Sequence, residues 1–234
     1  MIKISDLRKN FGKLEVLKGI DLEIEDGRIY GIIGPNASGK TTLIKSILGL
    51  IKPESGNIIV DEHTINGDYR YRGNLGYMPQ KAQFPENLTV KEILRLVRDL
   101  RNYPEQTDDD LIATFKLEKE MNKALKNLSG GTRQKVSAVI SFLFRPKTLI
   151  LDEPTAGLDP VASGSLKDKI LQEKENGKTF IITSHIISEI EELADQIIFL
   201  LEGAVYFQGS KEMVHAHTQE KNLERAIATL MENI

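Results

Sequence analysis

Apolar residues fall in three rhythms along this chain, and the rhythm changes twice. Up to about residue 60 they come in short β-branched runs between turn formers. Residues 28–33 and 57–60 are of this kind and predict strands. A glycine-bearing turn occupies 34–40. After it, Leu43, Ile44, Ile47 and Leu48 recur at helical spacing, so a helix is predicted to end near Gly49. From about 81 to 145 the pattern is helical throughout. Thr89 with Glu92 three residues on reads as a capping box, and Val90, Ile93, Leu94, Val97 and Leu100 follow on one helix face. A second helix is predicted to begin near Thr107 and to run through Leu111, Ile112 and Phe115. A third is predicted from about Ser129 to Phe144, before Pro146. The last third returns to alternation. Residues 148–151 and 180–183 are short, continuously apolar strands, as expected where both sheet faces are covered. Residues 197–201 and 205–207, joined through Glu202 and Gly203, predict a hairpin. A helical tail follows Gly209, with Leu223, Ile227 and Leu230 apolar. Strands alternating with helices predict an α/β fold with a mostly parallel sheet.

Composition narrows the function. The 234 residues, 40 % hydrophobic and 28 % charged, are those of an ordinary globular protein, long enough for one large α/β domain. The net charge of −3 includes no long basic run, so no nucleic-acid partner is expected. Without cysteine there are no disulfides, thiolate metal sites or cysteine nucleophiles. The start lacks the apolar core of a signal peptide, and no apolar run approaches the roughly 20 residues that span a bilayer. The expected location is therefore cytoplasmic, with any membrane role acting through a partner.

Three motifs carry chemistry. Gly34-Pro35-Asn36-Ala37-Ser38-Gly39-Lys40-Thr41, followed by Thr42, fits the phosphate-binding pattern G-x-x-x-x-G-K-[ST] between a predicted strand and a predicted helix. Its glycines let backbone N–H groups turn inward on phosphate oxygens, and the helix start adds positive potential. Lys40 is expected to reach the outer phosphates and the Thr41 hydroxyl to hold Mg²⁺. Second, Thr148-Leu149-Ile150-Leu151 delivers Asp152 and Glu153 to the carboxyl end of a buried strand, where open α/β sheets bind ligands. Asp152 is expected to serve the metal, and Glu153 to polarise an attacking water. Third, Leu128-Ser129-Gly130-Gly131 opens a predicted helix and is a second anion cradle.

A phosphate loop, an acidic strand and a Leu-Ser-Gly-Gly signature between them resemble the ABC ATPase family, over residues 1 to about 209. The resemblance implies one ABC ATPase domain, a RecA-like P-loop NTPase core with an antiparallel β portion at its start and a helical insert at about 81–145, followed by a tail at 210–234. It implies ATP and Mg²⁺ as ligands and ATP hydrolysis as the reaction. It also implies a head-to-tail dimer in which Ser129, Gly130 and Gly131 of one copy close over the γ-phosphate held by the other. Gln80, in Tyr77-Met78-Pro79-Gln80, matches the family's Mg²⁺- and water-contacting glutamine. His185 matches the switch histidine, Ala156-Gly157-Leu158-Asp159 the loop crossing the dimer interface, and Phe11 the ring stacked on adenine, with Val16 beside it. Thr132 stands where glutamine is commonest, and Phe11 where tyrosine is. A shorter hydroxyl alters one contact of the signature; stacking needs only a ring.

The family function implied is that of a motor subunit at the inner face of the cell membrane, driving a separate integral membrane subunit. Phe84, Pro85 and Leu88, after Gln80, are apolar residues that no periodic pattern claims for the core, and in the family this region receives a helix of that partner. Residues 76–80, 129–138 and Phe142-Leu143-Phe144 further resemble the copper-type ATPase of nitrous-oxide reductase maturation. A P-loop kinase or GTPase is the rival enzyme class, against which the second cradle and His185 count. A soluble ABC protein acting on DNA or ribosomes is a third class. The coiled coil, zinc cysteines or fused second domain of those proteins do not occur in this sequence.

Overall fold

A computed structural model describes residues 1–65, 67–101 and 106–232. Contacts divide the chain into two compact units, 1–72 with 179–234, and 73–178.

The first unit opens with β1 (Ile2–Phe11) and β2 (Leu14–Ile24), a long antiparallel hairpin. Ile2 and Ile4 alternate inward, and a register shift between Ile4 and Leu7 leaves Leu7 buried as well. β3 (Ile29–Ile33) is buried at every position, and the loop after it leads into α1 (Lys40–Ile47). β4 (Ser55–Val60) and β5 (His63–Thr64) complete a four-stranded sheet in the order β2-β1-β4-β5.

The second unit begins with β6 (Leu75–Met78), a strand that no periodicity marked. The predicted helices follow as α2 (Val90–Arg101), α3 (Asp110–Thr114) and α4 (Gly130–Phe142), then β7 (Thr148–Asp152) and α5 (Pro160–Glu175). The capping box is present. Thr89 N donates to Glu92 Oε2 at 2.8 Å, and Glu92 N donates to Thr89 Oγ1 at 3.2 Å. Residues 102–105, inside the span of the predicted insert, lie outside the described residues. α3 is shorter than its apolar pattern predicts, for a tertiary reason. Asp108 N donates to the Leu143 carbonyl, and the Asp108 side chain accepts from Asp110 N and pairs with buried Lys169 at 2.9 Å, so the chain before Asp110 is held out of helix.

The chain then returns to the first unit with β8 (Thr179–Thr183), α6 (Ile187–Leu193), β9 (Gln196–Leu201) and β10 (Ala204–Ser210). β3 lies between β8 and β9, parallel to both, and β10 closes the edge antiparallel to β9. This is the predicted hairpin. The tail forms α7 (Lys211–Thr218), capped by Ser210, and α8 (Leu223–Glu232), whose Leu223, Ile227 and Leu230 are buried against neighbours that include α6 and α7. Asn233 and Ile234, at the end of the predicted tail, lie outside the described residues. Among the described residues no helix is long and apolar enough to cross a membrane.

Candidate active site

In the first unit the chain turns from β3 straight into the phosphate-binding pattern. Ser38 N donates to the Pro35 carbonyl at 3.3 Å, and Ala37 and Gly39 take left-handed φ values of 64° and 105°. Gly39 is needed twice over. Its φ disfavours any side chain, and a Cβ there would stand 2.9 Å from Leu17 Cδ2 and 3.0 Å from the Val16 carbonyl oxygen. The same approach places Val16 of β2 against the loop. Lys40 is buried and folds back, its Nζ donating to the carbonyls of Gly34 at 2.7 Å and Pro35 at 2.9 Å. Ser38 is buried, and its Oγ has no hydrogen-bond partner among the described residues. Thr41 is exposed and Thr42 half-buried in the first turn of α1, which holds no acidic residue. Backbone donors, an ammonium and a spare hydroxyl around one turn fit a chain of phosphates.

β8 pairs with β3 so that Thr183 stands opposite Ile32. His185, exposed and two residues past β8, therefore leaves from the same carboxyl edge as the phosphate loop. Ser184 fixes this turn. Its Oγ accepts from Ile186 N at 3.0 Å and donates to Glu189 Oε2 at 2.9 Å. At the tip of the first hairpin Phe11 is 51 % exposed, with Lys9 Nζ 5.3 Å from its ring centre. A ring this open can stack on a flat base.

The second unit holds the remaining predicted residues. β6 and β7 run parallel with Met78 opposite Leu151. Continuing that register brings Pro79 and Gln80 out beside Asp152 and Glu153 at one carboxyl edge. Asp152 is buried, Glu153 is half-buried at φ 52°, and Gln80 is exposed. Burial, reinforced by the Asp152 charge, pushes the Tyr77 hydroxyl up to about 12.

The signature turn lies at the start of α4. Ser129 caps the helix by accepting from Thr132 N at 3.1 Å and shares a 2.8 Å hydrogen bond with Thr132 Oγ1. Ser129 and Gly130 are exposed. Gly131 abuts the loop after β7, since a Cβ there would lie 2.6 Å from the Gly157 carbonyl oxygen. Two residues of this helix were not singled out from sequence. Lys135 Nζ pairs with Asp159 Oδ2 at 2.7 Å, and buried Gln134 points its Nε2 at the Gln80 carbonyl, 3.3 Å away. The available signal was their spacing of three and four from Gly131, which puts all three on one helix face. The Lys135 ammonium, helped by Ala162 N, holds the Asp159 carboxyl below its ordinary range. Ala82, Gln83, Phe84, Glu86, Leu125, Lys126 and Arg133 line a groove of about 410 Å³.

Comparison with known proteins gives a consistent result. A family model described as ABC transporter matches residues 17–156. The lantibiotic transport ATP-binding protein SrtF of Streptococcus pyogenes is 35 % identical over 208 residues, covering 89 % of this chain and 90 % of SrtF. A solved structure of an ATP-binding subunit of an ABC transporter superposes with a TM-score of 0.90 at 28 % identity, over 99 % of both chains. A dimeric ATP-binding cassette in a post-hydrolysis state, bound to ADP and Pi, gives a TM-score of 0.80 at 25 % identity, over 90 % of this chain and 98 % of its own. The fold is therefore that of the P-loop NTPase cassettes, and the chain belongs to the ABC transporter family as an ATP-binding, ATP-hydrolysing subunit.

Proposed function

We propose that this chain works as a dimeric motor on the inner face of the cell membrane, hydrolysing ATP to drive a separate integral membrane subunit. One observation carries the dimer. The chain has two anion cradles of different kinds, the enclosed loop before α1 and the exposed Ser129-capped start of α4. One nucleotide per chain uses both cradles if each copy lends its signature to the other. The dimeric, ADP- and Pi-bound cassette supports the same reading.

In this reading Gly34, Pro35, Asn36, Ala37, Ser38, Gly39, Lys40, Thr41 and Thr42 hold the triphosphate of ATP. Phe11 stacks on adenine with Val16 beside it. Thr41, Asp152 and Gln80 serve Mg²⁺, which supplies neutralisation of charge on the phosphate oxygens when bound. Glu153 orients and polarises the attacking water as general base. Lys40 and His185 stabilise charge on the transferred phosphoryl group, while Ser129, Gly130 and Gly131 act on the partner's ATP.

The membrane subunit is expected at the groove around Phe84. SrtF is by name a transport protein, which supports a transport role for this chain. The copper-type resemblance finds no support in these relatives. The test of the composite site is the rate of ATP hydrolysis against protein concentration. It rises more than linearly if each site needs two copies. Strict proportionality from dilute monomer upward means a self-contained site and removes the dimer.

A further inference from the structure

The first two turns of α4 do more than present the signature. Gly131, Gln134 and Lys135 stand at i, i+3 and i+4 and therefore share one face. Together they meet two loop segments of the second unit, Gly131 and Lys135 one of them and Gln134 the other. At Gly131 the helix backbone touches the Gly157 carbonyl, where a Cβ would stand 2.6 Å away. At Lys135 the ammonium lies 2.7 Å from Asp159 Oδ2, while Asp159 Oδ1 accepts from Ala162 N at 2.9 Å and caps α5. At Gln134, 4 % exposed, the amide nitrogen is 3.3 Å from the Gln80 carbonyl and 3.5 Å from the Pro79 carbonyl. The loops so gripped are those that follow β6 and β7 at their shared carboxyl edge. A cavity of about 400 Å³ separates them above this face, lined by Gln80 to Gln83, the signature turn, Ala156 and Gly157. Beside the backbone contact at Gly131, the Gln134 and Lys135 side chains tie both loops to this one helix face.

We infer that Gln134 and Lys135 are positioning residues that tie the Gln80 segment and the 156–159 loop to the signature turn, so that the three shift as one body when the signature engages ATP. The inference rests on the proposed roles of Gln80 and the signature. It adds that the strength of two side-chain tethers sets how well docking of the signature aligns this chain's own Gln80 and the loop behind Glu153. Neither residue is among those assigned to nucleotide in this reading, so their loss lowers kcat and leaves nucleotide binding alone. A charge-assisted 2.7 Å pair is the stronger tether and carries the larger effect.

The test uses the full chain with Mg-ATP. Lys135→Met is expected to lower kcat by about three- to tenfold, with KM for ATP within about twofold of wild type. Lys135→Arg should restore most of the loss. Asp159→Asn keeps the α5 cap but loses the ion pair, and should match Lys135→Met. The double variant should be no slower than either single one, because both remove one interaction. Gln134→Met should lower kcat in the wild-type background and have no further effect beside Gln80→Ala. Unchanged kcat in Lys135→Met and Gln134→Met, or losses that multiply in the double variants, overturns the inference. Should Lys135→Met fail to fold, Asp159→Asn carries the same comparison with the helix cap intact. Failure of the underlying reading shows differently: Gln80→Ala then hydrolyses ATP at the wild-type rate.

Discussion

The phosphate loop of the first unit and the signature turn of the second are both helix starts suited to an anion, yet they are finished differently. Before α1 the donors are gathered inward. Lys40 is buried and turned back over the loop, and the Ser38 hydroxyl is enclosed. Before α4 the hydroxyl is already spent. Ser129 Oγ is engaged by Thr132, the turn stands exposed, and the cation beside it, Arg133, is spent on the Leu128 carbonyl at 2.9 Å. The first arrangement holds an anion by surrounding it; the second offers N–H groups at a surface to whatever is pressed against it. Loss of the first arrangement should therefore cost affinity as well as rate, loss of chemistry in the second unit rate alone, and mutations should separate the two.

The largest effect expected is at Lys40. Lys40→Ala removes the one buried ammonium of the loop, and hydrolysis should fall by at least about a hundredfold, with weaker nucleotide binding. ATPase assay and nucleotide titration check both parts. A mutant with wild-type turnover and wild-type nucleotide affinity contradicts this role of the loop.

Glu153→Gln should separate binding from rate from the other side. The amide is isosteric, so Asp152 beside it is undisturbed, but the charge proposed to polarise water is gone. Turnover should drop by about a hundredfold or more with ATP binding retained. Without hydrolysis to reopen it, the dimer should accumulate, eluting earlier in size-exclusion chromatography with Mg-ATP. A mutant monomeric at every concentration tried removes the two-copy site.

The two regions also differ in how legible they were. The phosphate loop is a local device. Its glycines, lysine and flanking strand and helix are contiguous, and the turn follows from their conformational needs. The same holds for the box at Thr89 and the hairpin of β9 and β10. The second unit depends on distant contacts. β6 has four residues with Gly76 among them, and its pairing partner β7 lies beyond the whole helical insert, so no local period marks it. α3 begins late because Asp108 is drawn to Leu143 and Lys169. The residues of α4 that grip the neighbouring loops lie within the motif that was read, but which face of a helix meets which loop is a tertiary matter. The place of the candidate residues at the strand ends was readable; which α4 side chains reach the neighbouring loops was not.

Phe84 probes the outward side of the second unit. It is half-buried in a groove whose lining mixes Ala82 and Leu125 with Glu86, Lys126 and Arg133. Phe84→Ala should leave ATPase of the isolated chain within about twofold of wild type while weakening capture of the membrane subunit, since few truncations outside a binding patch cost more than about 1 kcal/mol. Pull-down from detergent extract and ATPase of the reconstituted pair measure this. Full retention of both takes Phe84 out of the interface, and a collapse of stability makes it a core residue instead.

The smallest effect tests whether the two units respond separately. Thr89 caps α2 and takes part in a reciprocal pair, its own N–H donating to Glu92 and its hydroxyl accepting from Glu92 N. Thr89→Ala deletes the hydroxyl and exposes one helix-start donor, a loss of about 0.5–2 kcal/mol. Thr89→Ser keeps the oxygen and should recover most of it. The box lies in the second unit, where α2 also carries the predicted apolar face of the insert, so its loss should show first as faster amide exchange in α2 and its neighbours. Amides of β3 and α1, around the phosphate loop, should exchange at their wild-type rates, and nucleotide affinity should hold. Equal acceleration in both units would mean that they open together, and the separate response of the two units would be lost.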